Sequence, residues 1–230
     1  MKRLILLFLN LSFILILSSC KATDPKVAEN DNTIPSDTQT TDVIVDIPAD
    51  IEVVYNGGMS DRVIYEDLKQ VEDKSSLIIK AVPKKNLGQE VSTTYDYELN
   101  KDLPDAGYTK WEFEITKVYK GDVDVKDKLV LLHDYYVWPR SDGKKQLITL
   151  SSLKPALKDK EYLMFLQYDD INKGYWLVGD YMGMFAIPTD EIKAKIKAKT
   201  LKQPDIEVYD YEPLQYLIPI YSEVAAKYFN

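Results

Sequence analysis

The sequence predicts a mainly β domain of the α+β class with helices at its flanks. Tyr108–Tyr119 alternates Trp111, Phe113 and Ile115 with Lys110, Glu112 and Glu114, the period-2 pattern of a half-buried strand. Tyr162–Leu166 (YLMFL) is short and apolar throughout, as a strand at the centre of a core is. Helical signals are confined to about 60–73, 189–201 and 213–229.

Along the chain, Asp42–Tyr55 regains valine and isoleucine, and Pro35 and Pro48 favour extended segments with an edge strand. Ser60 is placed to cap a helix whose Ile64, Leu68 and Val71 share a face and which stops near Lys74-Ser75. Leu77–Val82 (LIIKAV) reads as a buried strand closed by Pro83. Glu90–Leu99 is a weaker strand, and Asn100–Gly107 is a loop by its Pro, Gly, Asn and Asp content. Val118 falls out of phase with Trp111, which predicts a bulge or bend near Lys117.

Lys128–Trp138 reads as one strand stopped by Pro139, and Gln146–Leu150 as the next. Asn172-Lys173-Gly174 is a hairpin turn into Tyr175–Ile187. After Pro188, Thr189 can cap a helix with Asp190 and Glu191 in its first turn. EIKAKIKAK alternates with period 2, but its Ala, Lys and Glu favour helix. Pro204–Tyr211 is extended. From Glu212 to Phe229, Leu214, Leu217, Tyr221, Val224 and Tyr228 form one stripe, which Pro219 should kink or divide.

The first twenty residues carry a different message. Met1-Lys2-Arg3 is a basic tip, Leu4–Leu17 a short apolar run, and Leu17-Ser18-Ser19 a small-residue approach to Cys20, the pattern of a secretory signal over 1–19. The run is short and interrupted by Asn10 and Ser12, against the roughly 20 residues of a membrane span. Lys21–Thr41 is poor in apolar residues, so 20–41 is expected to be a disordered spacer with a reach of about 25 Å, followed by one domain over 42–230.

Cys20 is the only cysteine, so neither disulfides nor a thiolate metal site are expected. Stability must come from an apolar core, which a 45% hydrophobic chain can build. The net charge is −8, and more negative once Lys2 and Arg3 leave with the signal. That argues against nucleic acid as a partner and against flat adsorption to an anionic surface.

Leu17-Ser18-Ser19-Cys20 resembles the lipobox of bacterial lipoproteins. The resemblance implies cleavage before Cys20, a diacylglyceryl group and added acyl chains such as palmitate on that residue, and a place on the extracytoplasmic face of the cell membrane. Two or three acyl chains hold far better than one, at about 0.8 kcal/mol per buried methylene. From Leu77 to Ile187, the layout Val118-Tyr119-Lys120-Gly121 … Tyr162-Leu163-Met164-Phe165-Leu166 is similar to uncharacterised bacterial lipoproteins. It also looks like the small antiparallel five- to six-stranded barrels of the OB and netrin-module type.

Candidate chemistry is sparse. Ser151-Ser152-Leu153-Lys154 matches the S-x-x-K of penicillin-binding enzymes, but Pro155 follows at once and no K-T-G is present. His133 is the only histidine and precedes Asp134, so a His–Asp relay is conceivable, whereas a metal site would have a single nitrogen ligand. Asp169-Asp170-Ile171-Asn172-Lys173-Gly174 faintly resembles a calcium loop but lacks its closing glutamate. No metal or other cofactor is expected. Tyr135, Tyr136 and Trp138, with Trp176, Tyr181 and the tyrosines of 209–216, are the densest aromatic groups and the candidate binding residues. The expectation is a non-enzymatic, lipid-anchored envelope module that binds a protein or glycan. The alternative is a wall-modifying hydrolase that uses His133 with nearby carboxylates.

Overall fold

A computed structural model describes residues 39–41, 47, 50–56, 63–158, 160–209 and 214–229, with side chains of 39–41 and 214–216 left aside. The signal, Cys20 and most of the spacer therefore lie outside the described residues. In chain order the strands are β1 (Gln39–Thr41), β2 (Glu52–Tyr55), β3 (Leu77–Asp96), β4 (Lys101–Lys120), β5 (Lys128–His133), β6 (Tyr135–Pro139), β7 (Lys145–Thr149), β8 (Tyr162–Asp169), β9 (Gly174–Leu177) and β10 (Met184–Ala186). The helices are α1 (Leu68–Lys74), α2 (Asp190–Ala198) and α3 (Leu214–Tyr228), with short 3-10 turns at Asp180–Met182 and Gln203–Asp205. The mainly β expectation holds.

Five strands pair in a ring, β3–β4–β5–β9–β8 and back to β3. Every link is antiparallel except β5–β9, a thin parallel seam registered at Leu131 and Tyr175 alone. β8 supplies the middle of the core: Tyr162 to Leu166 are all buried, against Ile79 and Ala81 of β3 and Phe113 and Ile115 of β4. The YLMFL run is apolar on both faces because the second face lies under α3, where Phe165 meets Tyr228 edge-on at 5.8 Å between ring centroids.

Two expectations for the first hairpin are corrected. Pro83 does not end a strand, and Asn100–Gly107 is not a loop: β3 and β4 are each 20 residues long, and the turn is confined to 97–100. Pro83 and Pro104 are tolerated because each sits beside a register shift, where a ladder hydrogen bond is already missing. A further shift between Lys80/Ala81 opposite Lys117/Ile115 is the bend that the phase of Val118 predicts. These shifts let the hairpin serve the ring with one half and extend beyond it with the other.

That extension is covered on two sides. β1 pairs Gln39–Thr41 with Gln89–Val91, so the spacer's last three residues are strand rather than disordered. A three-stranded sheet, β2–β7–β6, lies against the hairpin and closes a second, small core of Val91, Tyr136 and Ile148. β2 is an edge strand, as expected, and runs parallel to β7. Gln89 fastens the two sheets with a backbone-like pair: its Nε2 donates to Val137 O at 2.9 Å and its Oε1 accepts from Val137 N at 2.9 Å. Lys128–Trp138 is therefore two strands broken at Asp134, because β5 and β6 belong to different sheets.

The expected cap Ser60 lies outside the described residues, and the described helix α1 begins at Leu68. Asp67 is the cap, accepting from Gln70 N at 2.8 Å, and Val63–Tyr65 is not helical. Glu223 of α3 accepts from Leu68 N at 3.0 Å, and Glu72 accepts from Lys227 Nζ and the Tyr228 hydroxyl, so α1 and α3 hold each other by polar contacts. α2 starts at Thr189 as expected, its hydroxyl accepting from Ile192 N. Tyr175–Ile187 is not one strand but β9, a 3-10 turn and β10. α3 runs through Pro219, which lies on its exposed side while Leu217, Ile220, Tyr221 and Val224 bury the other. Among the described residues no helix is long and apolar enough to cross a membrane.

Candidate binding surface

The outward face of the ring gathers aromatic and charged side chains from β3, β4, β8 and β9. On β4 the polar phase of the period-2 pattern carries Tyr108 and Lys110 outward, and the ladder sets Glu90 of β3 opposite Tyr108. On β9 the same alternation turns Trp176 outward while Leu177 faces the core. Only β5 separates the two aromatics. Gly174 allows β9 to press against β5: a Cβ there would meet Leu132 Cδ2 at 2.7 Å and Val130 O at 3.1 Å. Tyr108 and Trp176 thus meet edge-to-face, with centroids 5.2 Å apart and planes at 78°.

A polar network fixes both rings. Asp169 accepts from Trp176 Nε1 at 2.8 Å, Asn172 Nδ2 at 2.7 Å, and the backbone amides of Ile171 and Asn172. The Trp176 and Asn172 hydrogen bonds hold its carboxyl down at about 2. Every one of these donors belongs to the protein, so Asp169–Gly174 is a turn closed on its own carboxylate. The described residues hold no cluster of three metal-ligating side chains. The Tyr108 hydroxyl lies between the Glu90 carboxylate and Asn172 Oδ1, 3.1 Å from the latter, and can donate to one at a time. Burial pushes the Glu90 carboxyl up, but hydrogen bonds from Lys110 and Tyr108 outweigh it and hold it below its ordinary value. Burial, then the Glu90 contact, raises the Tyr108 hydroxyl. The surface therefore carries the Asp169 and Glu90 carboxyls, both held below their ordinary values, beside Lys110 and two immobilised rings.

The aromatic residues singled out from sequence do not come together. Tyr135, Tyr136 and Tyr181 are interior, at 1%, 0% and 4% exposure, whereas Trp138, Trp176 and Tyr209 are half-buried. Burial of adjacent Tyr135 and Tyr136 is possible because β6 has a core on each side. Tyr136 joins Val91 and Ile148, while the Tyr135 hydroxyl accepts from Trp111 Nε1 at 2.6 Å. Trp138 packs at the rim of the small core, away from Trp176. Tyr209 is covered by Lys154 Nζ, 5.7 Å from its centroid; the side chains of Tyr211 and Tyr216 lie outside the described residues. Among the described residues the exposed aromatics are Tyr168 and the pair Tyr95 and Tyr97, the latter two edge-on at 5.0 Å at the tip of the β3–β4 hairpin.

The catalytic candidates are likewise placed. His133 is 1% exposed, rests edge-on against Tyr135 at 4.8 Å, and among the described residues has no hydrogen-bond partner at either ring nitrogen. No relay to Asp134 forms, and burial pushes its pKa down to about 3. Ser151-Ser152-Leu153-Lys154 is not helical, and Lys154 turns to Tyr209 rather than back to either serine. The sequence singles out neither Tyr108 nor Glu90, and marks Asn172 only as part of a faint calcium loop. The phase of Tyr108 with Lys110 and Glu112 was a usable signal; its pairing with Glu90 and Trp176 depends on long-range register. The chain matches no known family model, and no curated protein sequence matches it.

Proposed function

We propose that this chain is a non-enzymatic, lipid-anchored lipoprotein of the cell envelope, held at the extracytoplasmic face through Cys20, whose ring presents the Tyr108–Trp176 surface to an envelope glycan. The observation that carries this is the Tyr108–Trp176 pair, locked by Asp169, Asn172 and Glu90 before any ligand arrives. Rings fixed in advance lose little entropy on binding, and the C–H face of a sugar stacks on an aromatic face while its hydroxyls meet Lys110 and the carboxylates. The acidic character of the chain fits a neutral or basic glycan better than an anionic one. The hydrolase alternative finds no support in the surroundings of His133.

The test is retention on purified envelope glycan of the chain from Cys20 onward. Tyr108→Ala and Trp176→Ala should each weaken retention about tenfold, the equivalent of roughly 1.4 kcal/mol, with the fold checked by circular dichroism. If a folded double variant binds as the parent does, this surface is not the site. Separately, Cys20→Ala should move the protein from the membrane fraction to the soluble one; continued membrane association would sink the anchoring assignment.

A further inference from the structure

A second candidate lies beside β10. β10 ends its sheet, pairing with β8 on one side only. Phe165 N donates to Gly183 O at 2.8 Å and Ile187 N to Glu161 O at 2.9 Å, so the odd-numbered residues here face β8. By the alternation of an antiparallel ladder, the N–H and C=O groups of Met184 and Ala186 point away from β8. Among the described residues no backbone hydrogen bond reaches these groups. The Tyr221 hydroxyl makes one long contact, 3.4 Å, to Ala186 O.

The open edge faces a cavity of about 300 Å³. Its far wall is the extended stretch Ile206–Val208, held to the chain by the Leu153–Val208 bridge. Ile187, Ile192 and Leu217 make the rest of the lining apolar. The charged lining side chains are Glu161, Asp205 and Glu207 against Lys160 alone. Glu207 takes Lys160 as its partner, and Lys195 reaches Asp205 at 2.6 Å; among the described residues the Glu161 carboxylate accepts from the Thr116 hydroxyl and pairs with no cation. The cavity therefore combines an unpaired strand edge, an apolar interior and a carboxylate without a cation.

We propose that this cavity takes an extended peptide, which adds a strand to β10, places an apolar side chain inside and sets a basic residue against Glu161. The amides of Met184 and Ala186 donate to its carbonyls, and Met184 O accepts from its N–H, the strand-addition mode of peptide recognition. β10 offers three residues, so the pairing spans only about 7 Å, and the apolar and charged contacts must supply selectivity. The site shares no residue with the Tyr108–Trp176 surface.

The probe is a labelled, end-blocked peptide Lys-Val-Leu-Val-Lys, followed by fluorescence anisotropy and by amide exchange on the chain from Cys20 onward. Binding should slow exchange at Met184 and Ala186 about tenfold while leaving β5 unchanged. Replacing the central leucine by proline, or both lysines by glutamates, should weaken binding about tenfold or more. Glu161→Gln should weaken it too, with the Tyr108→Ala/Trp176→Ala variant binding as the parent does. Equal binding of all three peptides, no protection at Met184 and Ala186, or no binding at about 1 mM peptide would overturn the proposal.

Discussion

At the scale of single residues, His133 has the clearest energetic consequence. A neutral imidazole carries one donor and one acceptor, and here both are buried without partners. Its folded pKa, about 3, lies below the ordinary value of 6.5. As pH falls, the unfolded chain takes up the proton first. The stability is complete above about pH 6.5 and is lost as pH drops toward 3, by about 3 kcal/mol between pH 7 and pH 4.5. His133→Phe should therefore stabilise the protein by roughly 1–3 kcal/mol at pH 7 and flatten that slope, as seen in urea unfolding at the two pH values. An unchanged slope would acquit the histidine. Asp169 acts in a lower window. Its depressed pKa stabilises the fold above about pH 4, and that contribution disappears as pH falls through about 2.

At the scale of elements, the molecule depends on close approaches at a few joints. Gly174→Ala drives a methyl into Leu132 and the Val130 carbonyl. The expected result is a loss of about 1–3 kcal/mol at the β5–β9 seam, together with weaker glycan retention, because Trp176 moves with β9. Thermal melts and the retention assay check the two halves of that statement independently. Gln89→Leu removes the amide that completes the pairing between β3 and β6. It leaves the Val137 N–H and C=O buried without a partner, at a cost of roughly 1–3 kcal/mol. Exchange of the Val137 amide should accelerate more than that of Phe165 if the three-stranded sheet opens before the ring.

At the scale of the whole molecule, two cores and two flanks divide the work. The larger core fills the ring and runs on beneath α3; the smaller one glues the β2–β7–β6 sheet to the long hairpin. The Tyr108–Trp176 surface and the β10 edge occupy different strands, so the two proposed contacts can form at once. A protein carrying both functions should bind the basic peptide with the same affinity in the presence and absence of glycan. Mutual exclusion in that competition would mean that the sites are not independent.

Local chemistry by itself determined the type of most elements. Period-2 alternation marks β4, an unbroken apolar run marks β8, and Thr189 with Asp190 and Glu191 marks the start of α2. Each of these signals lies within a dozen residues of chain, as does the Leu17-Ser18-Ser19-Cys20 motif. Tertiary structure alone decided whether Pro83 and Pro104 interrupt a strand, since that turns on register shifts against a facing strand, with Pro83 opposite Phe113 and Pro104 opposite Thr93. It also decided that Tyr135 and Tyr136 are both buried and that Tyr108 meets Trp176. The physical reason is common to all three: burial and pairing are set by which surfaces the ring brings together, and a residue's own sequence neighbours do not carry that information.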